Sequence, residues 1–346
     1  MAAKFMKKPY EHIKYFFGLL FIFLLACPSE VKSADIIFRP QWILNDQHAG
    51  EIYAYEKMNQ SNSNVKIILL PYDETKDQYQ DVLSGKINVS TADIITLLNR
   101  IDKEHSDIVI FSFKEQISPA GYLSLKNKHI EKPKDLEGKI FGFYNETNRN
   151  DLKWFFDLHG IDFNNIKLKK ITSDNLVPLI DEEVDVIVAH DTNEPIILKK
   201  LGYDTNFIPM YGPAHVYYGS AYFTTRSFYK RNKKSLSEFV RKISEGWKWA
   251  IEHPDEAADM VMKYYPRSRY IMNSYNITKE KVVKGINVRA FHLTYNVGMN
   301  CIGCMTKMQW NIGINELIKN DLIQNKEMLL KVADFDITRD VFLNKN

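Results

Sequence analysis

The sequence predicts an α/β protein built on mostly parallel sheets, in two successive units followed by a helical tail. Three observations predict it. Short apolar runs alternate with segments of helical period from residue 35 to residue 112, the order that lays parallel strands in one sheet with helices on its faces. The alternation restarts near Gly121 and continues to Tyr211-Gly212-Pro213. Finally, 346 residues are enough for two domains of ordinary size.

In chain order, Asp35-Ile36-Ile37-Phe38-Arg39 reads as a first strand and Gln41 to Gly50 as a turn. A helix follows to Asn59, where Ile52, Tyr53 and Glu56 fall at helical spacing and Asn45 or Asp46 can cap its start. Residues 65–70 read as a second strand ended by Pro71, and 79–83 as a helix closed by Gly85. Then come a short strand at 87–89, a helix at 92–101 and a buried strand at 107–112. In the second unit a polar turn at 134–138 leads into a strand at 139–143, and a helix through 152–156 is stopped by Gly160. Strands at 166–171 and 184–188 flank a helix at 176–180. The tail opens with Ser235 and Glu238 as a capping box and one apolar stripe of Leu236, Phe239, Val240, Ile243, Trp247 and Ile251. Pro254 breaks that helix and starts the next, which runs to Pro266; a helix over 310–318 closes the chain. There is no tandem repeat.

A strand, a turn and a helix N-terminus in this order put Gln41 to Gly50 at the carboxyl edge of a sheet, where open α/β folds bind ligands. The turn offers the flat indole of Trp42, the amide of Asn45, the imidazole of His48, and Gly50, which lets a ligand approach the backbone. An ordinary βα loop with one buried tryptophan would carry the same residues.

Composition narrows the class. With 45% hydrophobic and 26% charged residues the chain can bury a core and is not wholly disordered. A net charge of +3 and no arginine-rich stripe leave no electrostatic footprint for nucleic acid; Lys230-Arg231-Asn232-Lys233-Lys234 reads as the solvated approach to a helix. Lys4, Lys7, Lys8 and Lys14 precede an apolar run from Tyr15 to Ala26, too short for a permanent span and laid out as an export signal. Leu24-Leu25-Ala26-Cys27 resembles a lipobox, which would place a lipid anchor on Cys27. Val31-Lys32-Ser33 resembles a signal-peptidase site, which would release a periplasmic protein starting at Ala34. Leu25 and Pro28 favour the second. No later run is long and apolar enough to span a membrane.

Met299-Asn300-Cys301-Ile302-Gly303-Cys304 has the M-x-C-x-x-C spacing with which small domains hold soft metal ions through thiolates. None of the surrounding pattern of such domains is present. In an oxidising compartment Cys301 and Cys304 form a local disulfide, serve in redox or metal sensing, or remain two free thiols.

Several motifs now fall in a recognisable order. They are Trp42, Asn45, His48 and Gly50; Ser84-Gly85-Lys86-Ile87-Asn88; Asp135-Leu136-Glu137-Gly138-Lys139; Asp185; Asn193-Glu194-Pro195; Gly246-Trp247; and Met308-Gln309-Trp310. With them the chain resembles the type 2 periplasmic binding proteins, in particular the family that includes bacterial binding proteins for thiamine pyrimidine precursors and the fungal pyrimidine-precursor synthase. The resemblance implies two α/β lobes joined by two crossings with a ligand cleft between them: 34–120 and 220–346 as the first lobe, 121–219 as the second, after a signal of 1–33. It implies a monomer that takes a small-molecule ligand for an ABC permease and ATPase, with no cofactor. A sensory binding protein that reports to a membrane signalling protein is the alternative. Trp42 would stack on a flat ring, His48 would reach a ring nitrogen, and Glu194 would accept from an exocyclic amine. Asn45, Asn193, Tyr144, Asn145, Tyr218 and Tyr222 would complete the lining.

The chain also departs from the family. The fungal enzyme carries a lysine and a histidine after the S-G-K stretch, where this chain has Ala92 and Thr96. An aldimine needs an amine nucleophile, so the enzyme reading loses its support. Relatives that hold a phosphate use a glycine-rich turn after a second-lobe strand; here Gly142-Phe143-Tyr144-Asn145-Glu146-Thr147 lacks the second glycine and adds a carboxylate. A neutral or cationic heteroaromatic therefore suits the site better than a phosphate ester.

Overall fold

In each of two five-stranded sheets, three neighbouring strands run parallel and a single strand reverses direction. The computed structural model describes residues 34–60, 64–144, 146–172, 175–211, 218–264, 277–319 and 325–343. The stretch read as an export signal, with Cys27, and Asn145, Gly212, Pro213 and Pro266 lie outside them.

In the first sheet β1 (Ile36–Arg39) pairs in parallel with β2 (Ile67–Leu69) and β3 (Val89–Asp93), with Ile36 beside Ile67 and Phe38 beside Val89. β10 (Ser220–Thr225) returns from far along the chain and inserts between β3 and β4 (Ile108–Phe113), antiparallel to both. The second sheet repeats the plan. β6 (Ile140–Phe143) pairs in parallel with β7 (Lys167–Lys170) and β8 (Val186–His190), while β5 (Ala120–Leu125) lies antiparallel between β8 and β9 (Thr205–Pro209). Four strands of each sheet thus share one direction. Every residue of β4 and of β5 is buried, which is why these strands show no polar alternation. The chain leaves the first sheet for the second through 114–119, and returns to the first between β9 and β10.

Helices cover both sheets. After β1 the turn closes as one 3₁₀ turn, Asp46–His48, capped by the Asn45 side chain, which accepts from the Gln47 N–H at 3.1 Å. It continues into α1 (Ala49–Glu56). α2 (Gln78–Leu83) follows β2, and Gly85 ends it with φ +75°, a conformation that glycine adopts without strain. β3 runs on to Asp93, and α3 (Ile94–Glu104) begins only there, with Asp93 accepting from the Thr96 N–H at 3.1 Å. Ala92 is therefore a strand residue opposite Ala221, because pairing with β10 extends the strand past the expected helix start. In the second lobe α4 (Glu146–Leu158) follows β6, α5 (Val177–Ile180) is a single turn, and α6 (Glu194–Lys200) follows β8.

After β10 come α7 (Arg226–Arg231) and α8 (Lys233–Glu252). The expected capping box does not form: α8 starts before Ser235, which is buried inside it, and Glu238 is held by Arg241 at 2.8 Å. The apolar stripe of α8 does face the core, with Leu236, Phe239, Val240, Ile243 and Trp247 all buried. α9 (Pro254–Tyr264), α10 (Lys279–Thr294), α11 (Lys307–Lys319), α12 (Lys326–Val332) and α13 (Asp336–Phe342) complete the chain. α10 and the strands β5, β9 and β10 carry no strong periodic signal in the sequence.

Gly50 has a different task from the one its place in the turn suggested. A methyl group on Gly50 would fall 2.4 Å from the Trp247 indole, and one on Gly246 would fall 2.2 Å from the Gly50 carbonyl oxygen. The two glycines let α1 and α8 touch backbone to backbone; neither makes room for a ligand.

Candidate ligand-binding site

Where the carboxyl ends of the two sheets face each other, a cavity of about 280 Å³ opens between the lobes. From the first lobe its wall takes the turn after β1, with Gln41, Trp42, Asn45, Asp46 and Gln47. From the second it takes the segments after β6, β7 and β8, with Tyr144, Thr172, Thr192, Asn193 and Glu194 over an apolar floor of Ile187, Val188 and Ala189. Loops that leave the carboxyl edges of parallel strands gather here because each strand of a right-handed βαβ unit delivers its loop to that edge.

Of the residues singled out in the sequence, Trp42, Asn45, Tyr144, Asn193 and Glu194 line this cavity. Trp42 is half-buried and leans on Tyr72, with ring centroids 5.4 Å apart and planes at 43°. Asn45 spends its side-chain oxygen on the turn it caps. Glu194 accepts from the His190 N–H at 2.7 Å and from the Asn193 side-chain amide at 3.0 Å. Both donors are neutral, and the two carboxylate oxygens have lone pairs left for a further donor.

The other expectations are corrected. His48 is fully buried beneath the turn and does not line the cavity. Burial, with the charges of Lys114 and Arg289, holds its pKa well below the usual value, and the Ile43 carbonyl faces it too loosely to count as a hydrogen bond. Tyr222 points into the first lobe's core, where its phenol donates to Glu51 at 2.7 Å and that carboxylate meets Lys114 at 3.0 Å. Strand alternation turned it inward. Tyr218 packs on Phe113 and donates to the Gln309 carbonyl, lining a separate cavity. The side chain of Glu146, like all of Asn145, lies outside the described residues.

Sequence reasoning missed the charged groups that frame the site. Asp46 is almost wholly buried and is met at 2.7 Å by Lys281 of α10. Gly285, one turn on, lets the helix come that close: a methyl group there would fall 2.5 Å from an Asp46 carboxylate oxygen. Arg289 of the same helix pairs with Glu115 in the first crossing and donates to Thr192 of the second lobe at 3.0 Å. Burial alone would raise the Glu115 carboxyl, but the Arg289 and Lys114 charges outweigh it and hold it below its ordinary value. His292 meets Asp191 of the second lobe at 2.8 Å. α10 therefore belongs to the first lobe yet ties down the second lobe's binding turn. With Asp46 and Arg289 each neutralised, Glu194 carries the net charge of the wall. Among the described residues no cluster of histidine, cysteine and acidic side chains could hold a metal ion.

The profile of the NMT1/THI5 like family matches residues 45–257. The formylaminopyrimidine-binding protein of Halalkalibacterium halodurans is 22% identical over 258 residues, covering 70% of this chain and 76% of its own. The 4-amino-5-hydroxymethyl-2-methylpyrimidine phosphate synthase of Legionella pneumophila is 20% identical over 244 residues, covering 70% and 77%. The alkanesulfonate-binding protein SsuA of Xanthomonas axonopodis pv. citri superposes with a TM-score of 0.63 at 10% identity, over 88% of this chain and 99% of its own. The last likeness speaks to fold alone, and it is that of a two-lobed periplasmic binding protein. By its profile match and this architecture, the chain belongs to the NMT1/THI5-like family.

Proposed function

We propose that this chain is an exported solute-binding protein that captures a single-ring heteroaromatic, of the thiamine pyrimidine precursor type, for an ABC importer. The supporting observation is the interlobe cavity, whose wall joins the Trp42 indole of one lobe to Glu194 of the other. At about 280 Å³ it sits at the small end of ligand pockets, roughly 300–1,000 Å³, which suits one substituted ring and excludes a dinucleotide. A flat ring gains dispersion on the indole, and an exocyclic amine gains a charge-assisted bond to Glu194. Neither lobe holds the ring alone, so the ligand favours the closed state by the contacts it makes only there.

Thermal shift and calorimetry against a panel of aminopyrimidines, flavins, sulfonates and amines test this. An aminopyrimidine raises the melting temperature, and Trp42→Ala abolishes the shift. If no panel member stabilises the protein, or if Trp42→Ala binds as well as wild type, the reading fails. The Legionella relative's name raises a second reading, a pyrimidine synthase. A pyridoxal cofactor does not fit this wall: among the described lining residues there is no lysine, and Lys281 behind Asp46 is committed to its ion pair. An absorbance band near that of an internal aldimine after incubation with pyridoxal phosphate would restore it.

A further inference from the structure

The Cys301–Cys304 pair is joined in a disulfide, with Cα atoms 5.1 Å apart. It takes no part in the cleft, yet the loop it closes touches the chain where it passes between the lobes. Ser112, at the end of β4, donates to the Gly303 carbonyl at 2.7 Å. Gln116, within the first crossing, donates its side-chain amide to the Cys304 carbonyl at 2.9 Å and accepts from Gln309 at 3.3 Å. The backbone N–H of Gln116 is held by the His292 carbonyl at 2.8 Å. Gly303 sits at φ +96° with a would-be methyl 3.1 Å from the Ser112 hydroxyl, so the loop presents its carbonyls in a backbone shape that other residues resist.

The helix that follows grips Tyr218, just before β10. Tyr218 donates to the Gln309 carbonyl of α11 and stacks on Phe113, with centroids 5.1 Å apart and planes at 28°. Its ring lies over Gly313, where a methyl group would fall 1.7 Å from the Tyr218 ring. The stretch from Cys301 to Gly313 thus holds the first crossing and Tyr218, just before β10.

We propose that the Cys301–Cys304 disulfide is a redox-controlled brace on the hinge: intact, it holds the first crossing and Tyr218 in place, and its reduction by a dithiol frees them and weakens lobe closure. This rests on the two-lobe closure described above and adds a regulation to it. Two physical points carry it. A ring this short removes little chain entropy from the unfolded state, so its effect is local, not global. And one side of the loop borders a cavity of about 910 Å³, lined by Cys301, Cys304, Gln116 and Tyr218 among others. A loop packed on all sides would keep its place after the bond broke; this one has space to move into.

Cys301 is half-buried on that cavity, whereas Cys304 is 3% exposed, so attack falls on Cys301. A thiolate of the dithiol bonds to the Cys301 Sγ, the S–S bond breaks, and Cys304 leaves as a thiolate that takes up a proton. The reductant's second thiolate then displaces Cys301, which is protonated in turn, and the reductant departs as a disulfide. Two electrons and two protons have passed to the protein.

The test is hydrogen–deuterium exchange on the full exported chain without ligand, before and after treatment with dithiothreitol. Amides of residues 112–118 exchange about tenfold faster after reduction, the factor expected when their supporting hydrogen bonds open, while those of β6 to β8 are unchanged. Cys301→Ser/Cys304→Ser shows the fast rate and no response to dithiothreitol. Gln116→Ala, with the disulfide intact, raises the same amides and leaves little further response. Equal exchange at 112–118 in both redox states overturns the proposal, and so does acceleration spread evenly into β6 to β8, which marks global loosening. Because the readout needs no ligand, its failure leaves the cleft assignment standing, and a failed ligand panel leaves this result standing.

Discussion

Replacing Lys281 by methionine strands the Asp46 carboxylate. The two side chains are 2% and 3% exposed and meet at 2.7 Å, and Gly285 lets α10 approach the Asp46 carboxylate closely. Methionine fills the space of the lysine stem without its charge. Removing one partner of a buried pair costs about 3–5 kcal/mol, and the cavity beside Asp46 admits some water, so the lower half of that range applies. Unfolding entropy of roughly 2 cal/mol/K per residue over a folded chain of about 300 residues makes this a loss of about 5–6 °C in Tm. Thermal unfolding at pH 7.5 measures it. Asp46→Asn combined with Lys281→Met recovers most of the stability. A loss below about 1 °C, on the same scale, would refute the account of this pair as a buried charge couple.

Three further outcomes follow from the same structure. Burial raises the Asp93 carboxyl to about 6, so wild type loses stability as pH climbs from about 4 through 6; Asp93→Asn keeps the helix cap and gains about 1–2 kcal/mol above pH 7, with no gain at pH 4, in urea titrations at the two pH values. The gain is set below the full shift because Asp93 keeps partial contact with water. Gly50→Ala drives a methyl group into Trp247 and costs about 2 kcal/mol or more in thermal unfolding, and an unperturbed Tm would mean α1 and α8 are not in contact. Tyr222→Phe removes a bond to the charged Glu51 and costs about 1–3 kcal/mol while leaving ligand affinity unchanged by calorimetry; a drop in affinity would return Tyr222 to the site.

The legible part of the site is the part built from local order. Trp42 follows a strand and precedes a helix, and Asn193-Glu194-Pro195 follows another strand, so sequence alone puts both at a carboxyl edge where a cleft can form. Tyr218, Tyr222 and His48 show the limit of that reasoning. Residue type says what chemistry a side chain can do but not which way it faces. One step along β10, or one turn into the 3₁₀ segment, sends the ring into the core. The Ser235–Glu238 capping box failed for a related reason: packing of the apolar stripe carried the helix past a good local start signal.

The sequence by itself determined the class of the fold, the buried strand β4, the apolar stripe of α8, and the motifs that end at the cleft. Those are short-range patterns, set by backbone period and turn chemistry. Only the tertiary structure decided that β10 returns between β3 and β4, that α10 brings Lys281 to Asp46 across 235 positions, and that the Cys301–Cys304 loop lies against the hinge. A buried charge must find its partner wherever the packed chain brings one, and no periodicity records a meeting between residues so far apart.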